Sequence, residues 1–120
     1  MCSLSAGGSG GGTIPLIPDE RLTIAVDLHG ASRVVRLAGE LDFDTAPGLK
    51  VHLLQHVAES DIIVDLSELS FMDSTGIAVL VAAYKQAIKE GRTMTAFGAP
   101  DRVAPTLRIT GVDRLLGMVE

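Results

Sequence analysis

The feature that most constrains this chain is a buried strand pattern that passes through a short polar loop into a long amphipathic helix. Residues 61–65 have the sequence Asp-Ile-Ile-Val-Asp, typical of a strand buried on both faces of a parallel sheet. Apolar residues then recur at helical spacing over residues 74–90, and Gly91 ends that pattern. A strand followed closely by a packed helix predicts a layered α/β fold.

The remaining patterns extend this unit in both directions and predict a β-β-α-β-α-β-α-β order. We predict strands at residues 22–28, 34–38, 61–65 and 93–97, with a last short strand or turn at 115–119. We predict helices at residues 44–58, 74–90 and 100–109. A turn cluster at 29–32 joins the first two strands as an antiparallel hairpin. Strands that alternate with helices then imply a mixed, mostly parallel sheet with the helices beside it.

Two of the predicted helices contain prolines that constrain where they begin. Asp44 or Thr45 is placed to cap the first helix, and Pro47 fits its first turn. Pro105 is tolerated only in a first turn, so the third helix either begins later than Pro100 or kinks.

Composition and charge exclude several classes of protein. Hydrophobic residues make up 47% of the 120 and charged residues 21%, as in a compact soluble domain, and only 3% are aromatic, so the core must be aliphatic. The formal charge of -5 argues against binding nucleic acid. Residues 1–18 are Gly-rich and predict a flexible tail before a single domain at 19–120. Cys2 is the only cysteine, and neither a membrane-length apolar stretch nor a signal peptide is visible, so we predict a cytoplasmic protein without membrane contact.

Patterns for catalysis, metals and cofactors are weak. Ser74 lies in Met-Asp-Ser-Thr-Gly, which differs from the Gly-x-Ser-x-Gly sequence around a hydrolase nucleophile. His52 and His56 share a helix face but lack further ligands, so we interpret them as solvated and predict no metal. The glycines near Ser74 do not form a phosphate-binding P-loop, although nucleotide binding at the helix start remains an alternative. We therefore predict no cofactor and no enzymatic activity.

The hydroxyl-rich loop before the second helix has two interpretations. Asp73, Ser74 and Thr75 are all good N-caps, so the loop could simply start a helix. Alternatively, Ser74 is a phosphorylation site, because a phosphate of about -1.5 to -2 charge is tolerated at a helix N-terminus. The same charge in a protein interface would oppose binding while leaving the domain folded.

Two segments of the chain resemble the STAS domain family, and within it the bacterial anti-sigma-factor antagonists. Residues 39–46, Gly-Glu-Leu-Asp-Phe-Asp-Thr-Ala, are similar to the family's Gly-Glu-Leu-Asp-x-x-Thr-Ala. Residues 69–77, Leu-Ser-Phe-Met-Asp-Ser-Thr-Gly-Ile, are similar to its Leu-x-Phe-Met-Asp-Ser motif, which continues with Ser or Thr, then Gly, then Leu or Ile. The resemblance covers about residues 20–119 and implies a STAS-like α/β domain with helices packed on one side of the sheet.

The resemblance also implies a mechanism of partner switching. The unphosphorylated protein would bind a serine-kinase anti-sigma factor and so release a sigma factor. That kinase would phosphorylate Ser74, or less favourably Thr75, and a PP2C-type phosphatase would remove the phosphate. The partner-binding residues implied by the two motifs are Asp42, Thr45, Asp73, Ser74, Thr75 and Gly76. A STAS module of a stress-signalling assembly or of a transporter complex is the alternative.

Overall fold

The computed structural model describes residues 21–118 and shows the predicted alternation of strands and helices. The elements in chain order are β1 (Leu22–His29), β2 (Ser32–Leu41), α1 (Ala46–Val57), β3 (Asp61–Met72), α2 (Ser74–Lys89), β4 (Met94–Phe97), α3 (Ala104–Thr110) and α4 (Val112–Leu115). The tail predicted at 1–18 and the last two residues of the chain lie outside this range. No helix among the described residues is long and apolar enough to cross a membrane.

The four strands form one sheet in the order β1-β2-β3-β4. β1 and β2 are the predicted antiparallel hairpin, with Leu22 opposite Gly39 and His29 opposite Ser32. β3 is parallel to both β2 and β4, so the prediction of a mixed, mostly parallel sheet is confirmed. The β2–β3 register shifts twice, after Arg36 and after Gly39, and such bulges bend a strand near its end.

An aliphatic core fills the space between one face of the sheet and helices α1 and α2. The fully buried strand residues include Val35, Leu37, Ile62, Val64 and Leu66. Ile63 and Asp65, which alternate with them along β3, are partly exposed. The prediction that this strand is buried on both faces is therefore wrong, because the helices cover only one face. Hydrophobic burial along the single covered face is the main stabilising term of the fold.

The helices begin where their prolines predict, but the apolar pattern of α2 does not fully predict burial. α3 begins at Ala104 with Pro105 in its first turn, as the restriction on proline requires. Pro47 similarly lies in the first turn of α1. On α2, however, not every apolar residue faces the core, since Ala87 is buried and Ile88 is 54% exposed.

Of the strand or turn predicted at 115–119, the described residues show the turn and not the strand. Val112–Leu115 form the short helix α4, and a turn follows through Gly117. Gly111 and Gly117 have φ of 79° and 68°, left-handed values that interrupt an extended chain. Only the alternative of a turn survives, with the Leu116 carbonyl accepting a hydrogen bond of 3.0 Å from the N–H of Ala96 in β4.

Candidate functional site

The two motif segments meet at one edge of the sheet. β2 and β3 are parallel neighbours that end side by side, with Leu41 opposite Met72. Asp42 and Asp73 therefore follow adjacent strands at the same edge. The N–H of Asp73 donates to the carbonyl of Leu41 over 3.2 Å, which links the two loops directly.

Asp42 and Thr45 hold the loop between β2 and α1, here called the first loop, by hydrogen bonds within it. Both side chains are buried, at 8% and 0% exposed for the whole residues. The Asp42 carboxylate accepts from the N–H of Asp44 at 3.0 Å and from that of Thr45 at 3.2 Å. The Thr45 hydroxyl accepts from the N–H of Asp42 and donates to the carbonyl of Glu40, both at 2.9 Å. Thr45 is the N-cap residue of α1, but its hydroxyl serves the loop and makes no capping bond.

Arg21 completes this network and was not identified from the sequence. Its guanidinium pairs with the Asp42 carboxylate at 2.6 and 3.0 Å, and with Glu40 at 3.2 Å and Asp44 at 3.0 Å. Arg21 immediately precedes β1, and its carbonyl accepts from the N–H of Glu40 at 2.7 Å. The register of the predicted hairpin could have placed it there, since Leu22 lies opposite Gly39.

The electrostatics of the network keep Asp42 ionised. Burial pushes the pKa of Asp42 upward, but the hydrogen bond from Arg21 and the N–H groups of Asp44 and Thr45 outweigh it. The pKa of the Asp42 carboxyl is therefore lowered, because each donor stabilises the charged form. The loop consequently carries a fixed negative charge that is tied to a cation.

The second loop is the short turn at Asp73 between β3 and α2, and the Asp73 side chain caps the helix. Asp73 has extended backbone geometry, and its carboxylate accepts from the N–H of Thr75 at 2.9 Å and of Gly76 at 3.3 Å. Of the neighbouring hydroxyl residues, Ser74 is exposed and Thr75 is partly buried. Because a carboxylate already occupies these two N–H groups, the helix start is poorly suited to bind the phosphate of a nucleotide.

Gly76 is buried for a packing reason. A Cβ at this position would lie 2.7 Å from Cγ of Leu41 and 3.1 Å from Cγ of Met72. The absence of a side chain lets α2 approach the ends of β2 and β3 closely. Gly76 therefore sets the distance between Ser74 and the sheet edge.

The paired histidines are distant from this site and differ from expectation. The rings of His52 and His56 are half-buried and meet edge-to-face at 5.1 Å, so the prediction of solvated side chains is wrong. Nδ1 of His56 is 2.7 Å from Arg33, which in turn pairs with Glu59 at 2.9 Å. Burial, with the nearby His52 and Arg33, lowers the pKa of His56 to about 4.

These histidines supply neither a base for Ser74 nor a metal site. His56 lies in the last turn of α1 beside the start of β2, at the opposite edge of the sheet from Ser74. Within residues 21–118 there is no group of three or more His, Cys, Asp or Glu side chains placed to hold a metal ion.

Comparison with known proteins identifies relatives along most of the chain. A family model described as "Mlab, STAS domain" matches residues 24–120. An anti-sigma-B factor antagonist of Listeria monocytogenes is 37% identical over 82 residues, which cover 67% of this chain and 72% of that protein. One from Staphylococcus aureus is 33% identical over 88 residues, which cover 72% of this chain and 82% of that protein.

Solved structures agree with the family model. A crystal structure of an anti-sigma factor antagonist from Mycobacterium paratuberculosis has a TM-score of 0.74 at 30% identity, covering 85% of this chain and 87% of that chain. The anti-sigma factor antagonist SpoIIAA in its unphosphorylated form has a TM-score of 0.66 at 19% identity. The match covers 81% of this chain and 99% of that chain. At that identity the likeness to SpoIIAA shows the fold alone.

Proposed function

This chain belongs to the STAS domain family as an anti-sigma-factor antagonist, and we propose that phosphorylation of Ser74 controls its binding to a serine-kinase anti-sigma factor. The observation that carries the proposal is an exposed serine at the first residue of α2, a helix whose start is held by the Asp73 cap. In the unphosphorylated state the protein binds the anti-sigma factor and frees a sigma factor. The cytoplasm, where transcription takes place, is the compartment that this activity requires.

The position of Ser74 allows a phosphate to change binding without unfolding the domain. Ser74 is exposed, so the added group displaces no core side chain. The group would also lie at the positive end of the α2 dipole, where negative charge is tolerated. In a bound complex, however, about -1.5 to -2 of charge would have to be desolvated beside Asp73. A loss of about 3 kcal/mol would already lower affinity more than a hundredfold.

We propose Ser74 as the acceptor in preference to Thr75 because of exposure. Thr75 is partly buried and borders a groove of about 340 Å³ between the starts of α1 and α2, together with Pro47 and Ala78. A kinase would have to reach into this groove to contact the Thr75 side chain. The Ser74 side chain is more exposed.

The partner kinase would perform the chemistry. The Ser74 oxygen attacks the γ-phosphorus of ATP, the bond to the β-phosphate breaks, ADP leaves, and the hydroxyl proton passes to a base of the kinase. The nearest carboxylate of this chain in sequence, Asp73, is occupied in capping α2. A PP2C-type phosphatase then hydrolyses the phosphoserine and restores binding. SpoIIAA, which shares the fold, has also been solved in a phosphorylated form.

The other residues of the two motifs position the loops that carry this site. Asp42, Thr45 and Gly76 are buried, so in our proposal they position the loops and make little direct contact with the partner. Asp73 holds the start of α2. Ser74 and the outer part of Thr75 form the contact itself.

The test is intact-mass spectrometry after incubation with ATP and each candidate anti-sigma kinase from the same genome. We expect one phosphate on the wild type and on Thr75→Val, and none on Ser74→Ala. Ser74→Glu should weaken binding at least tenfold with a melting temperature near that of the wild type. Gln55→Glu, which adds a charge on an exposed face of α1, should bind normally. If no candidate transfers phosphate to the folded wild type, the chain is instead a STAS module that works without phosphorylation.

A further inference from the structure

The three phenylalanines of this chain are all exposed, and two of them border the loops of the proposed switch. Phe43 is 68% exposed and Phe71 is 47% exposed. We propose that these two side chains, the aromatic patch, are the apolar anchors by which the chain binds the anti-sigma factor. This inference rests on the proposed function and adds the residues that provide affinity.

The strand register places both phenylalanines at the end of the sheet where Ser74 also lies. Phe71 is opposite Glu40, one step before the pair formed by Leu41 and Met72. It alternates with the buried Met72 along β3, so its side chain faces away from the core. Phe43 follows Leu41 by two residues, and Ser74 follows Phe71 by three. Both phenylalanines thus lie at the sheet edge from which the two loops leave.

The loop presents Phe43 rigidly. Its neighbours Asp42 and Asp44 are both held by the Arg21 guanidinium, and the Asp42 carboxylate also holds two backbone N–H groups. Little conformational entropy is therefore lost when the ring is covered by a partner. Single exposed hydrophobic residues are common, but Phe, like Tyr and Trp, is enriched in protein interfaces.

Charge indicates which partner covers the aromatic patch. The side chains of Glu40 and Asp44 border it and are 46% and 58% exposed, and one guanidinium, that of Arg21, serves both of them and Asp42. A complementary surface has an apolar pocket edged by Lys or Arg side chains. A second copy of this chain, with formal charge -5, would bring another acidic edge instead. The kinase must also close over Ser74 to transfer phosphate, so it covers the adjoining surface.

Phe97 provides a matched control for the test. It is 48% exposed, almost the same as Phe71. It pairs with Asp65, six residues before Phe71 along β3, which places it roughly 20 Å away along the strand. A general effect of removing an exposed phenylalanine would appear in Phe97→Ala as well.

The experiment measures the affinity of each unphosphorylated variant for the anti-sigma factor found by the mass assay, using isothermal titration calorimetry. We expect Phe43→Ala and Phe71→Thr each to weaken binding by roughly tenfold or more, with Phe97→Ala within about twofold of the wild type. Threonine at position 71 preserves strand propensity, and thermal melting checks that each variant is folded.

The outcomes separate this inference from the proposed switch. Normal binding by Phe43→Ala and Phe71→Thr, alongside weak binding by Ser74→Glu, overturns the aromatic patch and leaves the switch intact. Weak binding by both phenylalanine variants, with normal binding by Ser74→Glu, supports the patch and overturns the switch. Equal weakening by Phe97→Ala, or a wild type that binds no anti-sigma factor, overturns the patch.

Discussion

Adding one methyl group at Gly76 tests whether close packing sets the position of the switch loop. An alanine Cβ would lie 2.7 Å from Cγ and 2.9 Å from Cδ2 of Leu41, and 3.1 Å from Cγ of Met72. Both neighbours are buried, and Cγ of Leu41 is a branch carbon that cannot move without shifting its two methyl groups. Overpacking of this kind costs about 1–3 kcal/mol. Alanine regains up to about 1 kcal/mol of helix propensity. Subtracting the full propensity gain, we expect Gly76→Ala to destabilise the domain by about 0–2 kcal/mol.

The assay is thermal and urea denaturation of the wild type, of Gly76→Ala, of Ala78→Gly, and of Leu41→Ala with and without Gly76→Ala. A loss of 1 kcal/mol lowers the melting temperature of a domain of this size by about 4–8 °C. Ala78→Gly, at an exposed position of α2, measures the propensity difference separately. In a Leu41→Ala background the clash is removed, so Gly76→Ala should become neutral or stabilising there. A higher melting temperature for Gly76→Ala in the wild-type background would refute the packing argument.

Three further predictions concern side chains that are buried or partly buried. Thr45→Val leaves the N–H of Asp42 and the carbonyl of Glu40 without their hydroxyl partner, so urea denaturation should show a loss of about 1–3 kcal/mol that Thr45→Ser avoids. Asp73→Ala removes the cap from two helix N–H groups and should cost about 1 kcal/mol, with a smaller loss for Asp73→Asn. The folded-state pKa of His56, about 4, is below its ordinary value of 6.5, so the folded state binds fewer protons between these values and stability should fall as the pH drops through this window. Because the ring is partly exposed, we expect about 1–2 kcal/mol from urea titrations at several pH values, and His56→Gln should flatten the profile.

The sequence predicted the elements whose signals are local. The positions of β1, β2 and α2 and the restriction at Pro105 each follow from neighbouring residues, and the structure confirms all of them. The failures are of two kinds. The strand alternative after Leu115 fails for a local reason, because Gly111 and Gly117 have left-handed φ, and the described residues there make one hydrogen bond to β4 in place of a ladder. The other failures arise where contacts distant in sequence decide.

The histidine pair illustrates the same limit. Helical spacing correctly places His52 and His56 on one face, but it does not reveal that Arg33, 23 residues before His56, contacts the His56 ring. The burial of these rings is a property of tertiary packing, as is the pairing of Arg21 with Asp42 across 21 residues. Neither contact has a signature within a window of ten residues.

The division between buried and exposed residues at the site explains why a phosphate could act as a switch there. Asp42 and Thr45 are held by hydrogen bonds within the loop, and Gly76 by packing, so they resist displacement. Ser74 and Phe43 lie outside this rigid base and have no structural task that a partner would disturb. The loops around Ser74 are therefore too rigid to rearrange around an added charge. The cost of the charge is felt instead in the free energy of binding the partner. A site built on a softer loop would relax around the phosphate and lose part of that discrimination.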